Sequence, residues 1–129
     1  RAPAGEPGGE ERSAREALEQ QGMVILFDYD SSQVRSQYVD LIAAHARYAG
    51  RFTTVAVRLE GHTDERGSRE YNIGLGDRRA QAVRRAFELQ GVPKSRISTI
   101  SYGEERPAAA GSDEGSWSQN RRVEIRYQP

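Results

Sequence analysis

The chain of 129 residues contains no cysteine, which excludes disulfide bonds and thiol chemistry. Lys94 is the single lysine among 19 basic residues, and 19 acidic residues balance them to a formal net charge of zero. This balance lacks the basic footprint of nucleic-acid-binding proteins. No apolar run approaches the roughly 20 residues that a membrane-spanning helix needs. The sequence therefore predicts neither a nucleic-acid-binding protein nor a membrane-spanning one.

Large apolar side chains are scarce in the first 22 residues, which are rich in glycine, proline, alanine and glutamate. Such a segment cannot bury enough surface to offset the entropy lost on ordering. We therefore predict a flexible N-terminal tether over residues 1–22, with at most a short helix around residues 13–21. Residues 23–129 form the predicted domain, and about 105 residues suffice for one hydrophobic core.

The rest of the chain alternates between strand and helix patterns. Apolar runs and period-two alternation predict strands at residues 23–27, 52–60, 97–102 and 122–127. Helical periodicity predicts helices at residues 34–48 and 69–90. The glycine-containing stretch 103–116 is predicted to be a loop. This β-α-β-α-β-β order predicts an α+β fold with a single mixed sheet and helices packed on one face.

Motifs for catalysis are few. His62 and Asp64 form an H-x-D pair, but a metal site needs three or four ligands. No serine lies in the G-x-S-x-G context of a nucleophile elbow, and no glycine-rich loop joins a strand to a helix. We therefore predict a protein that is not an enzyme and that holds no metal or cofactor. A hydrolase based on His62 and Asp64 is the remaining catalytic alternative.

The long helix predicted at residues 69–90 carries one charged residue on its apolar side. At 100° per residue, Arg79 falls in the middle of the apolar arc, with Asn72 and Gly76 beside it. A guanidinium cannot be buried unpaired without a large free-energy cost, so we expect it to have an anionic partner. The nearest acid from a different element is Asp64, in the loop that precedes the helix.

This pattern allows two interpretations. A carboxylate and a guanidinium across a small cavity form a receptor for a zwitterion, in which Asp64 binds an ammonium and Arg79 binds a carboxylate. Gly76, which has no side chain, would then let the ligand approach the helix. Alternatively, Asp64 and Arg79 pair with each other and attach the loop to the helix, and Gly76 serves helix–sheet packing.

Six motifs follow one another over residues 23–127 in an order that is typical of one family. They are Phe27-Asp28-Tyr29-Asp30, Gly61-His62-Thr63-Asp64-Glu65-Arg66-Gly67, Glu70-Tyr71-Asn72-Ile73, Leu75-Gly76-Asp77-Arg78-Arg79-Ala80, Ser101-Tyr102-Gly103 with Pro107, and Asn120-Arg121-Arg122-Val123. With them the chain resembles the OmpA-like C-terminal, peptidoglycan-binding domain. The D-E-R-G and E-Y-N motifs together are most similar to those of the peptidoglycan-associated lipoproteins of Gram-negative bacteria.

This resemblance implies a non-covalent binder of the diaminopimelate-containing stem peptide of peptidoglycan, and no catalysis. In the family, the aspartate and arginine that match Asp64 and Arg79 hold the zwitterionic end of diaminopimelate. The two residues selected by helical periodicity are thus the two that the resemblance implies. Further ligand-binding positions implied by the resemblance are Asn72, Asp28, Tyr29 and Thr63.

The resemblance also implies partners and a location. Family members bind TolB, a periplasmic propeller protein, and connect the outer membrane to the cell wall through an N-terminal lipid-modified cysteine. Because this chain has no cysteine, we expect either that such an anchor precedes residue 1 or that the chain comes from another protein with a domain of this kind. The alternative is a protein-interaction adaptor that acts mainly through a TolB-like partner, using the loop 103–116. The roles of Trp117 and Arg121 stay open.

Overall fold

The computed structural model describes residues 8–128 of the chain. Single-turn 3-10 helices at Ser36–Tyr38 and Lys94–Arg96 precede the second helix and the third strand. The main elements, in chain order, are α1 (Gly9–Gln21), β1 (Val24–Leu26), α2 (Val39–Arg51), β2 (Ala56–His62), α3 (Arg69–Leu89), β3 (Ile97–Gly103), α4 (Glu114–Asn120) and β4 (Arg122–Gln128).

The four strands form one sheet in the order β1-β4-β2-β3. β2 and β3 are parallel and are joined by the crossover helix α3, whereas β4 runs antiparallel to both β1 and β2. The predicted α+β class and single mixed sheet are therefore confirmed. The helix α4 was not predicted, because its seven residues carry no apolar repeat; it begins where the Asp113 side chain accepts a hydrogen bond from the backbone N–H of Ser116.

The hydrophobic core lies between the sheet and the two helices α2 and α3. Alternate residues of the central strands face these helices, and the residues between them are polar or charged, such as Arg58 and Glu60, which pair at 3.2 Å on the opposite face. This alternation is what a sheet covered on one side requires. The largest core side chains from the sheet and α3 are Val57, Leu59, Val123, Ile125, Val83 and Phe87.

Two glycines bring the backbone of α3 directly against the sheet. A Cβ atom added to Gly61 would lie 1.9 Å from the carbonyl oxygen of Gly76, and one added to Gly76 would lie 2.3 Å from Ser101 Oγ. Neither position can accept a side chain without moving the helix. Gly76 therefore serves helix–sheet packing, and the expectation that it lets a ligand approach the helix is corrected.

The segment predicted as a tether contains an ordered helix. α1 packs against α2, with the Leu18 side chain 4% exposed, and Arg15 Nε donates to the Tyr48 hydroxyl at 2.8 Å. Ala14 and Leu18 lie four positions apart and therefore share one helical face, which forms a small second core with α2. The predicted boundary at residue 22 thus does not coincide with the edge of the packed structure. Residues 1–7 of the predicted tether lie outside the described residues.

Among residues 8–128, no helix combines the length and the apolar composition that crossing a bilayer requires.

Replacing Gly61 by alanine tests the close approach of α3 to the sheet. We expect Gly61→Ala to lower the free energy of unfolding by about 2–3 kcal/mol, because the added methyl group overpacks the contact with Gly76. Gly50→Ala is the control, since nothing lies within 4 Å of a Cβ at that helical position. It should leave stability unchanged or raise it by up to about 1 kcal/mol. Urea unfolding measures the free energy of unfolding of both variants. Equal values for the two variants would contradict the close approach of α3 to the sheet at Gly61.

The docking of α1 can be tested with a matched pair of leucines. Leu18→Ala should detach α1 and lower stability by about 2 kcal/mol, because it removes the apolar anchor of that helix. Leu89, which is 88% exposed, provides the control Leu89→Ala, for which we expect no change. Hydrogen exchange of the α1 amides measures the detachment. Unaltered protection of these amides in Leu18→Ala would show that the leucine does not hold the helix.

Candidate ligand-binding cleft

Three segments of the chain meet at one cleft beside the start of α3. They are the loop after β1, the loop between β2 and α3, and the first half of α3. The cleft has a volume of about 120 Å³ and is lined by Tyr29, Asp30, Thr63, Asp64, Arg66, Gly67, Tyr71, Asn72, Leu75 and Arg79. Five of the seven predicted site residues are therefore brought together: Tyr29, Thr63, Asp64, Asn72 and Arg79.

Arg79 is fully buried at the inner wall of the cleft, with 0% exposure. Its Nε donates to the Ser31 carbonyl at 2.8 Å, Nη1 to the His62 carbonyl at 2.9 Å, and Nη2 to the Asp28 carbonyl at 3.2 Å. Burial lowers the pKa of Arg79 to about 10, although the nearby Asp64 acts in the opposite direction. The guanidinium thus stays protonated at neutral pH.

The anionic partner expected for Arg79 is replaced by backbone carbonyl groups. Among the ion pairs of residues 8–128, none joins Arg79 to Asp64, so the structure does not contain the direct pairing that was the alternative interpretation. A guanidinium has five N–H donors. Three of them donate to the backbone carbonyls of Ser31, His62 and Asp28.

Asp64 lies in the same cleft and is nearly buried, its side chain being 6% exposed. Its Oδ1 accepts from the backbone N–H of Arg66 at 3.0 Å and from Nε of the same residue at 3.3 Å, and its Oδ2 accepts from Nη2 at 2.9 Å. Arg121 Nη1 lies 3.6 Å from Oδ2. Burial alone would raise the pKa of Asp64, but the hydrogen bonds and charges of these two arginines outweigh it, so the pKa is lowered. Asp64 is therefore ionised.

Arg66 is held between two aromatic rings as it reaches Asp64. Its guanidinium carbon lies 4.2 Å from the centre of the Tyr29 ring and 4.0 Å from that of Trp117. Both distances are within the range of cation–π attraction. Trp117 Nε1 donates to Glu65 at 2.9 Å, which fixes the indole over the β2–α3 loop. Trp117 thus covers the loop and stacks on an arginine.

Arg121 lies beside the cleft, next to Asp64, and its guanidinium is held in place by two other partners. Its Nε donates to the Phe27 carbonyl at 2.9 Å, and its two Nη atoms donate to the Glu114 carboxylate at 2.9 and 3.0 Å. A bidentate pair of this kind fixes the orientation of the guanidinium as well as its position. Arg121 therefore holds a positive charge beside Asp64 from a fixed place.

Asn72 and Thr63 shape the loop that carries Asp64. Asn72 Nδ2 donates to the Asp64 carbonyl at 3.4 Å and to Glu104 at 2.8 Å, and Thr63 Oγ1 donates to the same carbonyl at 2.9 Å. The Ser68 hydroxyl caps α3 by accepting from the Tyr71 N–H at 3.1 Å. These bonds set the direction in which the Asp64 carboxylate points.

The structure gives Asp28 a different role from the one expected. Its side chain lies outside the cleft, largely exposed, with Arg35 Nη1 3.4 Å away. Its contribution is the backbone carbonyl that binds Arg79. Because a carbonyl group is common to all residue types, the identity of the side chain at this position does not reveal the contact.

Sequence reasoning did not place five cleft residues in the site: Asp30, Arg66, Gly67, Tyr71 and Leu75. The Tyr71 hydroxyl donates to the Asp30 carboxylate across the mouth of the cleft. Asp30 has a positive φ of 52°, a conformation that aspartate tolerates in turns. All five residues lie within the motifs on which the family resemblance is based.

The H-x-D pair does not act as one unit, because its two side chains have separate partners. His62 is 2% exposed and lies 3.8 Å from Glu124, whereas Asp64 binds Arg66. Within residues 8–128, Glu60, His62 and Glu124 are the one group whose atoms could together contact a metal ion. Burial and the charge of Arg122 lower the pKa of His62 to about 4. The same positive charge opposes a bound cation, so we assign no metal to this group.

Comparison with known proteins places the chain in a family. The OmpA family model matches residues 26–121, and the chain belongs to that family. A peptidoglycan-associated lipoprotein of Pseudomonas putida is 52% identical over 100 residues, which cover 78% of this chain and 60% of that protein. A protein of the same name from Pasteurella multocida is 43% identical over 110 residues, covering 85% of this chain and 73% of that protein. The chain thus spans about three fifths of the length of the P. putida relative.

Solved structures show the same fold. The crystal structure of the peptidoglycan-associated lipoprotein from Burkholderia pseudomallei aligns with a TM-score of 0.82 and 44% identity, covering 84% of this chain and 92% of that one. The C-terminal domain of Helicobacter pylori MotB aligns with a TM-score of 0.75 and 23% identity, covering 82% of this chain and 84% of that one. At that identity the second likeness concerns the fold alone.

The charge of Asp64 should contribute to stability in a pH-dependent way. Because its pKa is lowered in the folded state, ionised Asp64 stabilises the fold at neutral pH, and this contribution is lost as the pH falls through the lowered pKa. We expect Asp64→Asn to cost about 1–2 kcal/mol at pH 7 and progressively less as the pH falls toward 2. Urea unfolding across this range measures it, with Asp77→Asn on the exposed face of α3 as the control. A cost that does not change with pH would contradict the ionic contribution.

Proposed function

We propose that this chain binds peptidoglycan non-covalently, and that the cleft receives the zwitterionic end of a diaminopimelate side chain in the stem peptide. One observation carries the proposal: an ionised Asp64 and a protonated Arg79 line the same small cleft without pairing with each other. A receptor with both signs of charge suits a ligand that also carries both. The names of the relatives, which are peptidoglycan-associated lipoproteins, support peptidoglycan as the polymer that is bound.

Arg79 is suited to the carboxylate of such a ligand. Its position is fixed by three carbonyl groups, and a guanidinium has further N–H donors with which it can bind a carboxylate. Because the guanidinium is already desolvated and oriented, binding would cost little additional ordering. The ligand's carboxylate would supply the anionic charge that the carbonyl groups do not.

Asp64 is suited to the ammonium, and the size of the cleft suits a side-chain end. A cleft of about 120 Å³ is smaller than the roughly 300–1,000 Å³ of pockets for whole drug-sized ligands. Diaminopimelate ends in an ammonium and a carboxylate on one carbon, whereas lysine ends in an ammonium alone. The pair of Asp64 and Arg79 would therefore select diaminopimelate over lysine.

In a wider role, we propose that the chain connects the outer membrane to the cell wall from the periplasm, as the family resemblance implies, and that it binds a TolB-like partner. Exposed charges that neighbour cleft residues along the chain support a protein partner. Glu65, which follows Asp64, is exposed, and Arg69 at the start of α3 forms an ion pair with Glu105, their side chains being 76% and 48% exposed. Exposed charges of this kind affect the rate and specificity of protein association.

Titration with muropeptides tests the ligand. We expect a diaminopimelate-containing tripeptide to bind more tightly than its lysine counterpart, because lysine offers no carboxylate to Arg79. Asp64→Asn should weaken binding of the diaminopimelate tripeptide by about tenfold or more, since the ammonium would lose its charged partner. Isothermal titration calorimetry measures both effects.

Asp77→Asn is the matched control, because Asp77 is an exposed acid on α3 that does not line the cleft. Its affinity should equal that of the unmodified chain. Equal affinities for the diaminopimelate and lysine tripeptides would rule out recognition of a zwitterion in this cleft. Equal losses in Asp64→Asn and Asp77→Asn would indicate a general effect of charge instead of a specific contact.

A further inference from the structure

Asp64 is already occupied in this structure by a side chain of the protein itself. Arg66 contacts both carboxylate oxygens, through its backbone N–H and Nε on Oδ1 and through Nη2 on Oδ2. A charge-assisted bidentate contact is among the stronger hydrogen-bonded interactions in proteins. A ligand ammonium that approaches Asp64 therefore competes with the guanidinium of Arg66.

The charges around Asp64 make simultaneous occupation unfavourable. The guanidinium groups of Arg66, Arg79 and Arg121 all act on this one carboxylate. An ammonium added beside them would be a fourth cation around this carboxylate, and Glu114 offsets the charge of Arg121 alone. Repulsion between like charges in a partly desolvated cleft disfavours such an arrangement.

Only one of these three arginines is placed so that it can leave. Arg79 is fully buried and binds three carbonyl groups. The side chain of Arg121 is 7% exposed and is fixed by Glu114 and the Phe27 carbonyl. The side chain of Arg66, in contrast, is 33% exposed, and its hydrogen bonds within the described residues all go to Asp64.

We propose that Arg66 is a specificity-determining residue that occupies the ammonium site as an internal substitute and leaves Asp64 when a ligand ammonium enters. This inference rests on the proposed function of the cleft. Replacing the guanidinium by the ligand's ammonium leaves the number of cations around Asp64 unchanged. A ligand without an ammonium cannot make this exchange, because removing Arg66 would leave Asp64 without its main charged partner.

The two aromatic rings fit this exchange. Tyr29 and Trp117 hold the Arg66 guanidinium by its faces, so its N–H edge alone is directed at Asp64. A cation–π contact requires only that the cation lie over the ring within about 6 Å of its centre, so both contacts allow the guanidinium to shift. Arg66 also lines the cleft, so its departure would enlarge the space available to the ligand.

Removing the charge of Arg66 while keeping the length of the side chain tests the exchange. Arg66→Met retains the backbone N–H bond to Asp64 and removes the competing cation. By calorimetry at constant salt, we expect a diaminopimelate-containing tripeptide to bind this variant about three- to tenfold more tightly than the unmodified chain. Arg66→Lys, which keeps a cation, should bind close to the unmodified affinity. Arg69→Met, an exposed arginine that pairs with Glu105, is the control and should change nothing.

A second probe separates charge from shape. The same tripeptide with its side-chain amine acetylated carries no ammonium, so Arg66→Met should give no gain in affinity for it. If the methionine variant does not fold, as judged by urea unfolding, Arg66→Gln is used, with the same expected gain.

Suppose that the parent chain binds the tripeptide with its free amine, and that the uncharged variant binds it equally or more weakly. This result overturns the role of Arg66 and leaves the proposed function standing. An equal gain for the acetylated tripeptide overturns it as well, because the gain would then not depend on charge. Absence of binding by the parent and by every variant overturns the proposed function and this inference together.

Discussion

The buried guanidinium of Arg79 is the interaction on which the cleft depends. It binds the Asp28 and Ser31 carbonyl groups after β1 and the His62 carbonyl at the end of β2, and so joins both segments to α3. A charge without counterion in the interior is costly, but oriented carbonyl dipoles compensate part of that cost. The arrangement leaves an excess of positive charge at one wall of the cleft. An anionic group of a ligand can neutralise this charge.

The two charges of the cleft differ in how firmly they are held. Arg79 is bound by backbone groups, which cannot turn away without disturbing the loops, whereas Asp64 is bound mainly by the partly exposed side chain of Arg66. The Arg79 guanidinium is therefore fixed in position, whereas the Asp64 carboxylate has a partner, Arg66, that can be exchanged. A site of this kind can orient a ligand carboxylate first and adjust at the ammonium end, where the displaced guanidinium finds solvent and two aromatic faces.

Much of the fold and of the cleft could be predicted from the sequence. Helical periodicity places one charged residue on the apolar face of α3 and so selects Arg79. The order of strand and helix patterns predicts the mixed sheet. Asp64 is selected as the nearest acid from a different element and again by the family resemblance. The partners of Arg79 could not be predicted, since backbone carbonyl groups leave no trace in residue identity. The contact of Trp117 with the β2–α3 loop could not be predicted either, because it joins residues 52 positions apart, one of them on the short helix α4, which has no apolar repeat. The packing of α1 against α2 could not be predicted, because a single leucine anchors this helix in a segment of otherwise polar composition.

The depth of Arg79 is set by a contact that contains no charge. Gly61 and Gly76 allow the backbone of α3 to touch β2, and their neighbours along the chain are His62 and, one helical turn further, Arg79. Since residues three apart lie on the same side of a helix, the glycine contact brings the guanidinium to the level of the His62 carbonyl. A larger side chain at either glycine would lift the helix and with it the cation, because the packed backbones have no room to adjust separately. The chemistry of the cleft thus depends on two residues that do not line it, and their small size is as necessary to the cleft as the charge of Arg79.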